Sequence, residues 1–575
     1  MPLTVTDQGG TIVLANDFLT FTFSLRHGRF SLRPAGAPDG LPALVNATAL
    51  AVYRSGLRTI TARMDERGSI VYKEARGQDI HGPGHHALFY WTDDVARLGL
   101  TVVVYDNLPF VLVRLLFTHR SAGPLAIERL APVQADPAAG GGLSFAVPPA
   151  RLALFRNGWS SWSPALRAGP GDPPPDGQFV KHARAAFLNA ETPAGSKNEF
   201  WSESFTAIGP PADPAGGPRT GLVAGFVSLA DQFSAIGLTL AGEGRGGEPP
   251  QHPLQMVCQA DQVQLPADTS LGSEWAYLQW LDLRQDDVFG DYACATARQM
   301  DARVPVRGPV GWSTWSTAGP EPSADRLGQA LGRLIRTESV LPVEVLQLDA
   351  GYAPLPGDWR QMDSARFPRG LAALAEQIRA SGRIPGLWLA PFVVHPDSVL
   401  AADHGDWLLK DGSGRPVNAG QLDGTSIYAL DTSHPEVGEW LAKLIRTVRR
   451  EWGFAYLKLD FLYAAALPGK RRDPQLTRAQ ALRRALWQIR EAAGADTFLA
   501  AAGCPLGPAV GLVNAMRIGP DGAPAWVTRA GRWGALFKGG PAAPGARNAI
   551  RNTLTRSPLH RRWWLNDPDA LSVRG

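Results

Sequence analysis

The stretch "YLKLDF", Tyr456 to Phe461, lies inside the apolar run "WGFAYLKLDFLYAAAL" and carries one lysine and one aspartate two residues apart. In a strand, side chains two apart share a face, so Lys458 and Asp460 point one way while Leu457, Leu459 and Phe461 point the other. On a helix of about 3.6 residues per turn the same pair would diverge by about 200 degrees. The run therefore predicts a buried strand with polar groups on one face.

Working outward, short apolar runs alternate with helical patterns from Val310 onward: "VGWSTWS", "VEVLQLDAG" from Val343, "IPGLWLAP" from Ile384, "YLKLDF", "TFLAAAG" from Thr497, "AMRIGPD" from Ala515 and "RRWWLND" from Arg561. Between them lie segments such as "LAALAEQIRASG" and "TRAQALRRALWQIREAAG", apolar at helical spacing and ending on Gly. The series predicts a (β/α)8-type barrel. It counts seven strands and stops at "LSVRG". The expectation is a barrel lacking its last strand.

The first three hundred residues read differently. "TIVLANDFLTFTFSL" from Thr11 and "RLGLTVVVYDNLPFVLVRLLFTH" from Arg97 alternate apolar and polar side chains and are rich in β-branched and aromatic types. That pattern predicts a large antiparallel β-sandwich. "AGPGDPPPDG" from Ala168 and "AGEGRGGEPPQHP" from Ala241 read as loops. The texture changes at "ARVPVRGPV", Ala302 to Val310, giving expected domains of 1–300 (β-sandwich) and 301–575 (barrel).

Lys+Arg 57 against Asp+Glu 53 leaves a net charge of +4 with no sustained basic run, which argues against a nucleic-acid partner. No stretch reaches about 18 uninterrupted apolar residues, so no membrane span is expected. Three scattered cysteines suit neither a disulfide framework nor a paired-cysteine zinc site, and a reducing cytoplasm is the expected location. The eleven histidines include no HExxH pair; His395 lies near Asp397 without an obvious third ligand, and neither metal nor organic cofactor is expected.

Polar residues recur at or near the C-terminal ends of the predicted strands: Asp349, Lys458 with Asp460, Arg517, Asp521 and Asp567. Barrel enzymes assemble their sites there. Two carboxylates on different strands, one beside a lysine, fit glycoside hydrolysis, in which an ionised carboxylate attacks the anomeric carbon while a protonated one serves the leaving oxygen. A nearby ammonium favours the ionised form, and a drier or more negative setting favours the acid. Two plainer readings stay open: Lys458 and Asp460 as a buried ion pair, and Asp521 in "GPDG" as a turn residue.

The ordered set "GWSTWS", "LQLDAGY", "FPRGLAALAEQIRASGRIPGLWLAPF", "YLKLDF", "MRIGPD" and "RRWWLNDPD" resembles the α-galactosidases of glycoside hydrolase family 36, within the melibiase-like clan, over Gly308 to the C-terminus. The resemblance implies Asp460 as the nucleophile of a retaining double displacement and Asp521 as the general acid/base. It implies Asp349, Lys458 and Arg517 as groups that hold sugar hydroxyls, Trp388 as an aromatic wall, and Cys504 as a neighbour of the sugar. A tryptophan of "NGWSSWSP", Trp159 or Trp162, is implied to reach the site. The family pairs two aspartates after strand two, whereas here Ala350 follows Asp349, and it continues into a C-terminal β-domain that this chain is expected to lack. The implied partner is an oligosaccharide or glycoside; homo-oligomerisation stays open. The alternatives are an α-galactosyl transglycosidase, similar to raffinose synthases, and a catalytically dead carbohydrate-binding homologue.

Overall fold

Alternation in the first part of the chain becomes two antiparallel sheets in the computed structural model, which describes residues 3–37, 41–66, 68–173, 184–211, 219–242, 249–315, 319, 321–422, 424–522, 525–526 and 540–570. Parts of the loops expected from Ala168 and Ala241, and the terminal "LSVRG", lie outside the described residues. Contacts divide the chain into two units, the first comprising Met1–Gly158, Ala165–Gly177 and Glu191–Asp301. The second comprises Ala302–Gly575 together with Trp159–Pro164 and Gln178–Ala190, of which 184–190 are described.

In the first unit one sheet has eleven strands and the other ten. Thr11–Ala15 and Leu19–Ser24 bury every second residue, as period two requires. The buried rows meet between the sheets: Phe23 stacks on Phe89 with ring centroids 3.8 Å apart, and Tyr53 packs on Phe117 at 5.3 Å. Aromatic rings fill the interlayer because they remove large apolar areas from water with few rotatable bonds.

The second unit is built on seven parallel strands paired in chain order. They are β1 (Gly311–Ser313), β2 (Val345–Leu348), β3 (Ile384–Leu389), β4 (Tyr456–Leu459), β5 (Phe498–Ala501), β6 (Ala515–Arg517) and β7 (Leu565–Asp567). Helices α1 (Ala324–Arg336), α2 (Gly370–Ala380), α3 (Pro435–Arg446), α4 (Arg478–Ala493) and α5 (Ala546–Thr555) lie between them in sequence. Ser323 caps α1 by accepting from the Arg326 amide, and Thr477 with Gln480 forms a reciprocal capping box on α4. Between β3 and β4 a small antiparallel sheet, Val393–Val394 with Asn418–Leu422 and Thr425–Ala429, interrupts the β/α alternation. Sequence reading missed it, because strands this short carry little periodicity.

One face of the parallel sheet is apolar: Leu346, Leu348, Leu387, Leu389, Leu457 and Leu459 are all fully buried. The other face is layered. Tyr456 stacks on Phe498 at 5.2 Å, and Ala500, Ala515 and Leu565 continue that apolar layer. Lys458 stands two residues beyond Tyr456 and Asp460 two beyond Lys458, so the polar groups rise from an apolar floor towards the C-terminal ends of the strands.

Leu457→Ala is expected to lower the stability of the second unit by about 2–5 kcal/mol, the usual range for a truncated core leucine. A urea midpoint shift checks this; a change below about 0.5 kcal/mol, the range of a surface position, would contradict the packing described.

Candidate active site

Parallel pairing aligns Trp388 with Lys458, and Lys458 with Ala500, so these three side chains share one face. Asp349, just past β2, is 2 % exposed and accepts hydrogen bonds from the Ser313 hydroxyl at 3.0 Å and the Gln347 amide at 2.5 Å. The Lys458 ammonium donates to the same Asp349 oxygen, Oδ2, at 3.4 Å. Burial acts to lower the pKa of Lys458, but Asp349 and Asp460 outweigh it, and the ammonium is held above its ordinary value.

Asp460 follows β4 and is 9 % exposed. Its two oxygens are held separately: Oδ2 accepts from the Trp388 indole N–H at 3.1 Å, and Oδ1 from the Phe461 amide at 2.9 Å. The expected lowering of its pKa by Lys458 is present, as is a lowering by Trp388. Burial is the larger effect, Asp521 adds to it, and the carboxyl is shifted upward on balance. The sequence could not weigh these terms, because burial is a tertiary property.

Phe461 has φ 54° and ψ 31°, a left-handed conformation that costs a side-chain-bearing residue energy. Two rings, Trp162 and Tyr463, flank the strained turn. Trp162 meets Phe461 edge-on at 5.4 Å and Tyr463 at 5.9 Å. Gly503, at φ 53°, lies so close under Trp162 that a Cβ there would sit 2.9 Å from the indole. Trp162 is held by its neighbours, since the Ser161 amide donates to the Cys504 carbonyl at 2.7 Å and the Ser161 hydroxyl accepts from the Cys504 amide at 3.2 Å. Cys504 itself is fully buried with its thiol on the Pro505 carbonyl, and burial pushes that thiol well up. Trp388 is 4 % exposed and edge-on to Trp359 at 5.7 Å.

Arg517 ends β6, 3 % exposed, and its Nη2 serves two carboxylates, Asp521 at 3.0 Å and Asp569 at 2.5 Å. Burial acts to lower the arginine's pKa, and Asp569, Asp521 and Asp567 outweigh it. The Asp521 side chain is 47 % exposed, so its setting is more solvated than the dry one expected for an acid. Asp569 also accepts from the Gly522 amide at 2.6 Å. Asp569 was missed in the sequence; its signal was the "NDPD" following β7, a further carboxylate beyond a strand end. Gln347, Ser313, Trp359 and Phe461 were missed too, since nothing local marks a residue that acts by holding another.

The structure thus brings Asp349, Trp388, Lys458 and Asp460 together on neighbouring strands, with Trp162 against the turn after Asp460 and Arg517 with Asp521 on a later strand. Among the described residues no group of three or more His, Cys, Asp or Glu is placed to hold a metal ion. No helix of the described residues is long and apolar enough to cross a membrane.

A family profile described as Melibiase matches residues 334–491. The chain is similar to TtGalA, an α-galactosidase from Thermus thermophilus solved in complex with p-nitrophenyl α-D-galactopyranoside. The two are 31 % identical, the match covers 80 % of this chain and 82 % of that one, and the TM-score is 0.58. It is also similar to α-galactosidase AgaA of Geobacillus stearothermophilus, 29 % identical over 24 % of this chain and 20 % of that protein. An α-galactosidase of Escherichia coli is 26 % identical over 35 % of this chain and 29 % of its own length. The match thus spans less than a third of either curated relative.

The upward shift of Asp460 has a consequence for stability. A carboxyl with a raised folded-state pKa holds its proton more tightly in the folded chain than in the unfolded one. Its contribution therefore falls as pH rises from the ordinary carboxylate range through the folded pKa. Asp460→Asn removes that pH dependence, so the stability of the variant relative to the wild type is expected to rise between about pH 4 and about pH 7. Urea midpoints at both pH values check this; a difference between the two proteins that stays the same or falls over that range would contradict it.

Proposed function

The chain belongs to the α-galactosidases of glycoside hydrolase family 36, and on that premise we propose that it is a retaining α-glycosidase acting on terminal α-linked galactose or a closely related sugar. The seven strands are read as seven of an eightfold β/α barrel within residues 301–575, with the site at their C-terminal ends. The observation that carries the reading is the mounting of Asp460. A buried carboxylate with one N–H donor on each oxygen is fixed in direction, and an ammonium on the same face favours its ionised form.

In the first step an Asp460 oxygen attacks the anomeric carbon. The bond from that carbon to the leaving oxygen breaks, and Asp521 gives the leaving oxygen its proton. The product is a glycosyl ester on Asp460 and an alcohol. In the second step Asp521, now a carboxylate, takes a proton from water as the water oxygen bonds to the anomeric carbon, and Asp460 leaves as the free carboxylate. The Lys458 ammonium and the Trp388 N–H, which favour the charged form of Asp460, assist its departure as the carboxylate in this second step.

Asp349 and Lys458 form an acceptor and donor pair for adjacent sugar hydroxyls, with the Ser313 hydroxyl beside them. Trp388 contributes mainly as a donor to Asp460, and Trp162 as the wall over the turn that follows it. Ala350 stands where the family carries a second aspartate, and its amide turns inward to Asp349 at 2.9 Å. One hydroxyl contact is thereby removed, which broadens the sugar from galactose to its near relatives. Arg517 is shared between Asp521 and Asp569 and orients the Asp521 carboxyl from one side.

Asp460→Ala is expected to abolish turnover of an aryl α-galactoside. Asp521→Ala is expected to lose about 10²–10⁴-fold in rate, most for leaving groups that need a proton. Steady-state rates, with mass-spectrometric detection of Asp460 labelled by a mechanism-based inhibitor, check both. Full activity in either variant, or labelling elsewhere, would sink the assignment.

A further inference from the structure

The groups above gather at the C-terminal ends of the strands and leave the opposite end of the same sheet unaccounted for. There a cavity of about 650 Å³ opens beside the start of β3 and the residues leading into β4, lined chiefly by Arg379, Arg383, Ile384, Pro385, Arg449 and Arg450. Its described lining includes four arginines and no carboxylate.

The four cations are unequally neutralised. Arg379 pairs with Glu376 and donates to the Gly453 carbonyl at 3.2 Å. Arg383 is nearly fully buried; its Nη groups reach Glu338 at 3.6 Å and the Ser381 carbonyl at 3.0 Å. Its Nε–H is also buried and has no partner among the described residues. Arg449 spends one N–H on the Thr497 hydroxyl at 2.9 Å. Arg450 is exposed, and neither it nor Arg449 meets a carboxylate among the described residues.

Arginines near helix C-termini often do no more than answer the partial negative charge there, about half a unit per helix end. That accounts for Arg379, in the last turn of α2. It does not account for Arg383, which lies past the helix at the head of β3. The chain after α3 also widens into a single π-helical turn, Thr447–Glu451, that carries both Arg449 and Arg450. Such turns are frequent at functional sites. Gly453, at φ 85°, leaves room for the Arg379 guanidinium, since a Cβ there would sit 2.3 Å from its Nη2.

We propose that this cavity binds a small phosphate monoester, its phosphate held by Arg449 and Arg450 and its organic part resting on Ile384 and Pro385. Guanidinium forks match the oxygens of a tetrahedral dianion. The volume is that of a small-molecule site and exceeds what a bare phosphate fills. Ile384, 39 % exposed at the rim, supplies the apolar surface that an ester covers and free phosphate does not. The site is independent of the proposed glycosidase chemistry.

The test is calorimetric titration of the full chain with phenyl phosphate, inorganic phosphate and benzyl alcohol, on the wild type and on Arg449→Gln/Arg450→Gln, whose partly and fully exposed positions spare the core. Phenyl phosphate is expected to bind the wild type, inorganic phosphate more weakly and benzyl alcohol not at all. The double variant, folded by circular dichroism, is expected to lose at least about tenfold in affinity for phenyl phosphate. Absent binding, or affinity unchanged in the double variant, would overturn the site. Equal affinity for inorganic phosphate, or binding of benzyl alcohol, would overturn the ester.

Discussion

The ammonium of Lys458, placed between two carboxylates on one face of a parallel sheet, is the charge around which the candidate site is organised. Burial alone disfavours the charged form of an ammonium in that position. Asp349 at 3.4 Å and Asp460 on the same strand face reverse that tendency. The consequence runs outward. Asp349 must be held in place by Ser313 and Gln347, and Asp460 by Trp388 and its own following amide, for a charged triad to persist above an apolar floor.

Holding Asp460 in that direction carries a local cost. The chain turns immediately after it through a left-handed phenylalanine, and the turn is braced by Trp162, Tyr463 and the bare backbone of Gly503. Strain kept at a functional residue by surrounding packing is a recurring arrangement, in which the fold forgoes some stability to fix a reactive group.

The two proposed catalytic carboxylates live in contrasting settings. Asp460 is buried and doubly hydrogen-bonded, whereas Asp521 is half-exposed and shares one guanidinium with Asp569. The contrast is one of geometry: two N–H donors fix Asp460 in direction, while Asp521 is left open to solvent. Asp569 meets this group through Arg517 and through the Gly522 amide that follows Asp521.

The local sequence determined a good deal. Period two in "TIVLANDFLTFTFSL" and the spacing of Lys458 and Asp460 depend only on strand geometry, which is the same in every sheet, so the antiparallel first part and the seven parallel strands were legible directly. Carboxylates at strand ends were legible for the same reason. What only the tertiary structure decided was everything that depends on distance across the chain. Trp162 and Phe461 are three hundred residues apart in sequence and touch in space. Lys458 bonds Asp349 on another strand, and Asp460 is pushed up by burial in spite of its lysine. Local pattern fixes which face a side chain takes, whereas its neighbours, its solvent and therefore its protonation are set by parts of the chain that the pattern does not contain.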